Sequence, residues 1–504
     1  MLRFMKHTIA LFLFTLSSAL AEPDQYHRLA LEGIALGHNM QIDEAEEIFN
    51  EMIALDPEHP LGHLALAVMN LYKYWLEENP QTSAQKFKAY ADKAIKLSKQ
   101  NLSSRPRLAE AWFCLGAANL YLGVYHGDRE NWLRAFWHGK QGIDYFKKAV
   151  EIDPNYYDAY WGLGLCRYYA EARRSFILKT MSSLFLGIEG DRKKGLNELQ
   201  LVAEKGVLAR AQALFFLGFI YSSEQEYEKA LTCFQELTAL YPDNPFPRQF
   251  HILMLQNTGD YSQSLAMATR IAQEKSANRN PKFDISLYRI LGNLYFDLNQ
   301  FEAAKTHYHQ ALEIASRSHG QAKWVARANF QLGHSCEMLG QRQEANAYYQ
   351  RVKKSDDKYL YERAQEFIKQ PLLPVDIDLI RGRNYSQTKN YEQALAVFEE
   401  ARAKANENTK DYSERKIPEI QYHIAKTQYD KKAFADAIVE FKFFFATKKI
   451  EEKWIEPWAH FYLGDCYREM GEMQKAEAEF GIAYKYDNGA LRFEIKKVRE
   501  KYGF

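Results

Sequence analysis

The histidines, cysteines and paired acids of this chain are the residues suited to metal, nucleophilic or proton-transfer chemistry, and their spacing argues against all three. His307 and His309 stand two residues apart in a helical pattern, so their rings leave opposite faces and do not chelate. His59 and His63 have the i, i+4 spacing of a helical metal pair. Pro60 between them marks a helix start, where a capping or solvated role fits better. The five cysteines (Cys114, Cys166, Cys233, Cys336 and Cys466) lie far apart, form no CxxC, and each sits inside an apolar helical pattern. They read as small core residues. Glu46-Glu47 and Glu399-Glu400 fall on polar helix faces and read as solubility. No HExxH, phosphate-binding glycine loop, GxSxG or dinucleotide fingerprint is present. The expectation is therefore no cofactor, no metal and no enzyme. A catalytic site, if there were one, would have to sit in the inserted segments described below.

What remains is binding chemistry, carried by aromatic residues. The stretch DPNYYDAYWGLGLCRYYAEARR (153–174) places Trp161, Tyr168 and Tyr169 beside Arg173 and Arg174. The whole chain is similarly rich, with 33 Tyr and 31 Phe, whereas Gly (26) and Pro (14) are sparse. Few breakers in a chain with 47% hydrophobic residues mean helices with a large core.

Those helices are written in a repeat. Gly218 is followed twelve residues later by Ala230 and four further on by Phe234. The same spacing recurs at Gly33, Ala45, Phe49; at Gly292, Ala304, Tyr308; and at Gly333, Ala345, Tyr349. It returns at Gly382, Ala394, Phe398; at Ala425, Ala437, Phe441; and at Gly464, Ala476, Phe480. Around each small residue runs an apolar helical pattern, then a polar break, then a second pattern that a proline often ends, as at Pro57, Pro154 and Pro242. Two antiparallel helices approach closely only where small side chains face the contact, and the aromatic residue one turn later fills the space left. Such a hairpin cannot bury both faces alone, so its neighbours must stack on it.

The pattern resembles the tetratricopeptide (TPR) repeat superfamily. Leu214, Leu217-Gly218, Tyr221, Ala230, Phe234, Leu237 and Pro242 match its motif, as do Tyr288, Leu291-Gly292, Tyr295, Ala304, Tyr308 and Ala311. The resemblance implies an all-α fold, a right-handed α-solenoid of about eleven TPR-like hairpins covering nearly all of the mature chain. It also implies that the first helix of each hairpin lines a groove, with Trp161, Tyr168 and Tyr169 on it, together with Phe113, Phe215, Tyr422 and Phe461. Arg289 and Asn293 fall where TPR domains that capture a C-terminal carboxylate keep a basic residue and an asparagine. The following unit has Gln331 in place of an asparagine and does not complete that clamp. GDRKKGLNEL (190–199) and ALYPDNP give a looser resemblance to exported bacterial TPR proteins related to the inclusion-body-clearance family.

Two units break the rule. In the third, Pro154 arrives about fourteen residues late, and the extra material, 123–142, carries Trp132 and Trp137. In the fourth, an apolar insertion at 171–188 delays the second helix. Two readings stay open for these segments: an accessory core over longer helices, or a pocket or partner site on one side of the array. A membrane-surface contact by 175–188 is a third, with little basic charge to support it.

The N-terminus reads as a secretory signal peptide over residues 1–21. Arg3 and Lys6 precede an apolar run, and Ala19-Leu20-Ala21 offers a small-x-small cleavage site near Ala21. No cysteine follows the run, so lipid attachment there is not expected. Removing Arg3 and Lys6 leaves 64 basic against 65 acidic residues, a balance that lacks the positive footprint nucleic-acid binding needs. KQPLLPVD (369–376) interrupts the helices with two prolines, which suggests arrays over 22–370 and 371–504, the latter closed by a charged capping helix. The functional expectation is an exported scaffold or adaptor, soluble and most naturally periplasmic, binding protein or peptide. The alternative is a structural subunit of an envelope export or assembly complex.

Overall fold

The computed structural model describes residues 25–77, 79–172, 190–274, 280–318, 320–447, 453–486 and 488–502. The signal-peptide reading, Arg173, Arg174 and nearly all of the 171–188 insertion lie outside them. The described residues are 82% helical, and among them 24 helices pack in consecutive pairs. Its contacts divide it into two compact units, residues 1–258 and 259–504. That division falls at Thr258–Gly259, and the proline-rich segment 369–376 lies inside the second unit.

The first unit holds α1 (Gln25–His38), α2 (Ile42–Leu55), α3 (Pro60–Leu76), α4 (Gln81–Ser104), α5 (Ala109–Asp128), α6 (Trp132–Ile152), α7 (Tyr160–Ala172), α8 (Arg192–Lys205), α9 (Arg210–Ser223), α10 (Tyr227–Leu240) and α11 (Pro245–Asn257). The second holds α12 (Tyr261–Gln273), α13 (Pro281–Asp297), α14 (Phe301–Arg317), α15 (Ala322–Met338), α16 (Arg342–Gln350), α17 (Lys358–Lys369), α18 (Pro374–Gln387), α19 (Tyr391–Asn406), α20 (Ile417–Asp430), α21 (Phe434–Ala446), α22 (Ile455–Glu469), α23 (Met473–Lys485) and α24 (Gly489–Tyr502). Pro60, Pro245 and Pro281 each open a helix at its first position. His59, Asn244 and Asn280 cap those helices by accepting from the backbone N–H two residues on.

The repeat code works as its spacing implies. Phe49, Phe234, Tyr308, Tyr349, Phe398, Phe441 and Phe480 are all buried, at most 2% exposed. Of the six that follow a glycine in the code, five press on it so closely that a Cβ there would collide with the ring, and Phe480 over Gly464 is only slightly looser. Seven residues beyond each small residue the backbone turns left-handed, at Met40, Gln225, Asn299, Gly340, Lys389, Lys432 and Gly471. The next N–H then reaches back to the carbonyl five residues before it, as Glu226 does to Tyr221 at 2.8 Å and Gln300 to Tyr295 at 2.8 Å. This is the Schellman ending, and it starts the second helix of each hairpin at a fixed angle.

The third hairpin keeps this code at greater length. Its left-handed residue is Glu130, and Asn131 N–H reaches back to His126 at 2.9 Å. Gly116 still lies under Phe146, fourteen residues before the turn. Seven residues, or two helical turns, have been added to each arm, so the antiparallel register survives. Gly123 maintains the close approach in the added length, within about 3 Å, for a Cβ, of the Ala135 carbonyl, as Gly142 does opposite Gly116 at the code's own position.

The first unit also folds back on itself. His38, at the end of α1, lies 4.4 Å ring to ring from Tyr241, just past α10, and Asp243 N–H donates to Asn39 Oδ1 at 3.2 Å. Residues 60–72 of α3 and nearly all of α9 are consequently buried on every side. In the second unit, Asn384 of α18 donates to Phe296 O and Asn299 Oδ1, both at 2.9 Å, joining α18 to the end of α13.

Candidate binding surfaces

The fold disperses the aromatic residues that the sequence groups together in the first unit. Trp161 is 5% exposed, stacked on Phe216 at 6.2 Å and edge-on to Phe146. Tyr168 is 3% exposed, and its hydroxyl donates to Glu224, which Arg192 also holds. Burial, reinforced by the Glu224 charge, pushes the Tyr168 phenol well above its ordinary value. Tyr169 is half-buried and lies edge-on to Tyr168. Phe113 and Phe215 are core residues as well. Because the unit closes on itself, the first-helix positions that would line a groove there are packed against neighbouring helices.

The lengthened hairpin does the opposite. Along α6, Trp132 is 53%, Leu133 85% and Trp137 54% exposed. The second hairpin covers one side of the extension, where Tyr74 and Phe87 each pack 5.3 Å from Tyr125. Inside it, His138 meets Asn119 at 3.0 Å and stacks on His126. Burial, then His126 and Arg134, push the His138 imidazole down to about 4. Trp132 and Trp137 are thus each about half exposed, and the other residues of the expected accessory core, in 171–188, lie outside the described residues. Leu133 and Trp137, one turn apart, present an apolar edge to solvent.

A second polar cluster joins three hairpins of the first unit. Glu110 of α5 lies 3.7 Å from His27 of α1 and 3.4 Å from His59, the cap of α3. Burial pushes the Glu110 carboxyl up, but the two imidazoles outweigh it and hold it at about 2. The cluster is a structural tie: among the described residues, no group of three or more His, Cys, Asp or Glu has the geometry to hold a metal ion.

In the second unit, Arg289 and Asn293 lie one turn apart on α13 and are joined to α15 by residues the sequence reading did not single out. Trp324 and Arg327, at i and i+3, share one face of α15. The guanidinium of Arg289 lies 5.4 Å, and that of Arg327 5.6 Å, from the Trp324 ring. Among the described residues, neither arginine has a carboxylate within ion-pair distance. Burial, then the like charge of Arg327, pulls the Arg289 guanidinium down to about 10, and its Nε is buried without a hydrogen-bond partner. Asn293 Oδ1 accepts from Tyr308 Oη at 2.8 Å and from Gln331 Nε2 at 2.7 Å, so its amide nitrogen remains as an uncommitted donor. Gln331 thus has a specific part here, as the residue that orients Asn293. The Trp-x-x-Arg spacing was the available signal, legible only once a second arginine was known to face it.

Two family models described as tetratricopeptide repeats match the chain, over residues 211–244 and 284–357. The first span covers α9 and α10, and the second covers α13 to α16. Among solved structures, a tetratricopeptide repeat protein from Parabacteroides merdae is 14% identical, with a TM-score of 0.25, over 57% of this chain and 97% of that one. The TPR domain of P58(IPK) is 13% identical, with a TM-score of 0.22, over 92% of this chain and 99% of that one. No curated protein matches the chain. These matches are to tetratricopeptide repeats and not to the inclusion-body-clearance family. Among the described residues, no helix is long and apolar enough to cross a membrane.

Proposed function

We propose that this chain, a member of the tetratricopeptide-repeat superfamily, is an exported scaffold that binds protein or peptide partners in the cell envelope. Export rests on the basic, apolar and small-x-small order of residues 1–21. The observation that carries the binding reading is the outer edge of α6, where Leu133 and Trp137 stand 85% and 54% exposed on a hairpin two turns longer than the repeat requires. Exposed apolar edges of this kind mark contact surfaces, and tryptophan is the residue most often found at their centres. In the second unit, the donor-rich cluster of Arg289, Arg327 and Asn293 is a separate contact surface, one that favours acidic groups on a partner.

The test is capture of partners by in-cell crosslinking from the native envelope, comparing wild type with Leu133→Ser and Trp137→Ala. The proposal expects both variants to lose the specific partner while their helical melts stay near wild type. Retention of the same partner by both variants would remove α6 from the interface. A stable complex of fixed stoichiometry, surviving purification without crosslinking, would instead favour a structural subunit of an envelope assembly.

A further inference from the structure

The second unit contains a cavity of about 340 Å³ between α15, α17, α18 and α20 that the scaffold reading does not use. Its walls are mixed: Phe330 on α15, Phe367 on α17, and Leu379 and Ile380 on α18 form the apolar part, and Arg363, Asp376, Arg383 and Glu419 bring charge to it. His334 stands among them, 5.4 Å ring to ring from Phe367, and its Nδ1 is buried with no hydrogen-bond partner. A buried polar atom left unpaired costs about 1–3 kcal/mol and calls for an explanation.

The charges around the cavity are unevenly satisfied. Its two acids are taken, because Lys416 bridges Asp376 at 3.0 Å and Glu419 at 2.9 Å. Arg363 lies 5.0 Å over the Phe367 ring and is paired with Glu366. Arg383 is exposed at the mouth of the cavity. Its Nε donates to Leu379 O at 3.3 Å, and among the described residues no carboxylate lies within ion-pair distance, with Glu419 and Asp376 acting on it from farther off. Burial, with Arg383 and Arg363 adding to it, pushes the His334 imidazole down to about 4, so the ring is neutral near neutral pH and able to donate one hydrogen bond. The unused chemistry of the cavity is one guanidinium fork and one imidazole nitrogen, set against aromatic walls. A cation would meet Arg383, whereas a carboxylate could take the guanidinium donors that no ion pair commits.

We infer that this cavity binds a small organic acid, an apolar body of about one aromatic ring carrying a single carboxylate. The carboxylate would take the Arg383 fork and the His334 nitrogen, and the body would lie between Phe330 and Phe367. The volume is at the lower end of the range for small-molecule sites. This inference goes beyond the scaffold reading and does not depend on it.

The probe is N-acetyl-L-phenylalanine, compared by calorimetry with N-acetyl-L-phenylalaninamide and with acetate on the full-length protein. Binding of the acid should be at least about tenfold tighter than binding of the amide or of acetate, the size expected for a charge-assisted hydrogen-bond pair. Arg383→Met should remove that preference, His334→Phe should weaken it, and Arg317→Met, on the exposed end of α14, should leave it intact. Circular dichroism verifies that each variant is folded, and the two cavity variants keep the test open should one of them misfold. Equal binding of acid and amide, or wild-type binding by folded Arg383→Met, would overturn the inference. Tighter binding of the tripeptide acetyl-Ala-Ala-Phe than of the single residue would assign the carboxylate to a polypeptide end and overturn the assignment to a free acid.

Discussion

The ring of Phe234 covers Gly218 so closely that a Cβ on the glycine would stand 2.6 Å from Cζ. Alanine has the better helix propensity, by about 1 kcal/mol, yet at this position the overlap costs more, about 1–3 kcal/mol. Gly218→Ala should therefore destabilise the first unit by about 1 kcal/mol, read as a lower urea midpoint. Gly139, within α6, makes the opposite case: a Cβ there meets no heavy atom within 4 Å. Gly139→Ala should raise stability by up to about 1 kcal/mol.

Lys432 ends α20 in the left-handed conformation, at φ 65, a place that glycine fills at Gly340 and Gly471. A Cβ at such a φ costs about 1 kcal/mol, partly offset by the greater entropy that glycine loses on folding. Lys432→Gly should raise the thermal midpoint of the second unit by a small, measurable amount. Lys432→Val should lower it, because a branched Cβ tolerates this turn least.

Trp161 and Trp137 should separate stability from binding. Truncating the buried indole, Trp161→Ala, should cost about 3–5 kcal/mol. Trp137→Ala should change stability by less than about 1 kcal/mol while weakening partner capture. Calorimetric melts alongside crosslinking measure both effects. A large loss of stability in Trp137→Ala with normal capture would falsify the assignment of α6 as a contact surface.

This division between two tryptophans marks the limit of what the sequence made legible. The Gly-Ala-aromatic spacing fixed the hairpins because both helices of each contact lie within about thirty residues, inside one reading window. Even the long third hairpin was written there, since Gly123, Ala135 and Gly139 repeat the small-residue spacing inside the apparent insertion. Which face of α7 meets solvent was not legible. It depends on Tyr241 and Asp243 returning to His38 and Asn39, a closure set by small rotations added over five hairpins. The Arg289 and Asn293 cluster was half legible, because its partners Trp324 and Arg327 come from another helix.

Glu110 gives the first unit an acid-sensitive tie. The carboxyl is held at about 2, below the ordinary 4.5. A depressed carboxyl contributes stability above its unfolded pKa and loses it as pH falls through its folded one, so the contribution fades between about pH 4.5 and 2. At about 1.4 kcal/mol per unit, its upper size is about 3 kcal/mol. Glu110→Gln should be less stable than wild type at pH 5–6, and the gap should close as the pH approaches 2. Urea midpoints at pH 2.5, 4 and 6 measure this, and a constant gap would show that Glu110 acts by packing alone.

The contact of His38 with Tyr241 also bears on how the first unit comes apart. An open stack of hairpins frays from its ends, since the terminal repeat has only one neighbour. Here the first hairpin is clasped by the end of the fifth, 203 residues away, so opening either end breaks a long-range contact as well as a local one. Native-state hydrogen exchange should therefore show α1 and α10 opening together with one free energy, and proteases should find the folded unit harder to trim inward from residue 25 than a linear array would be.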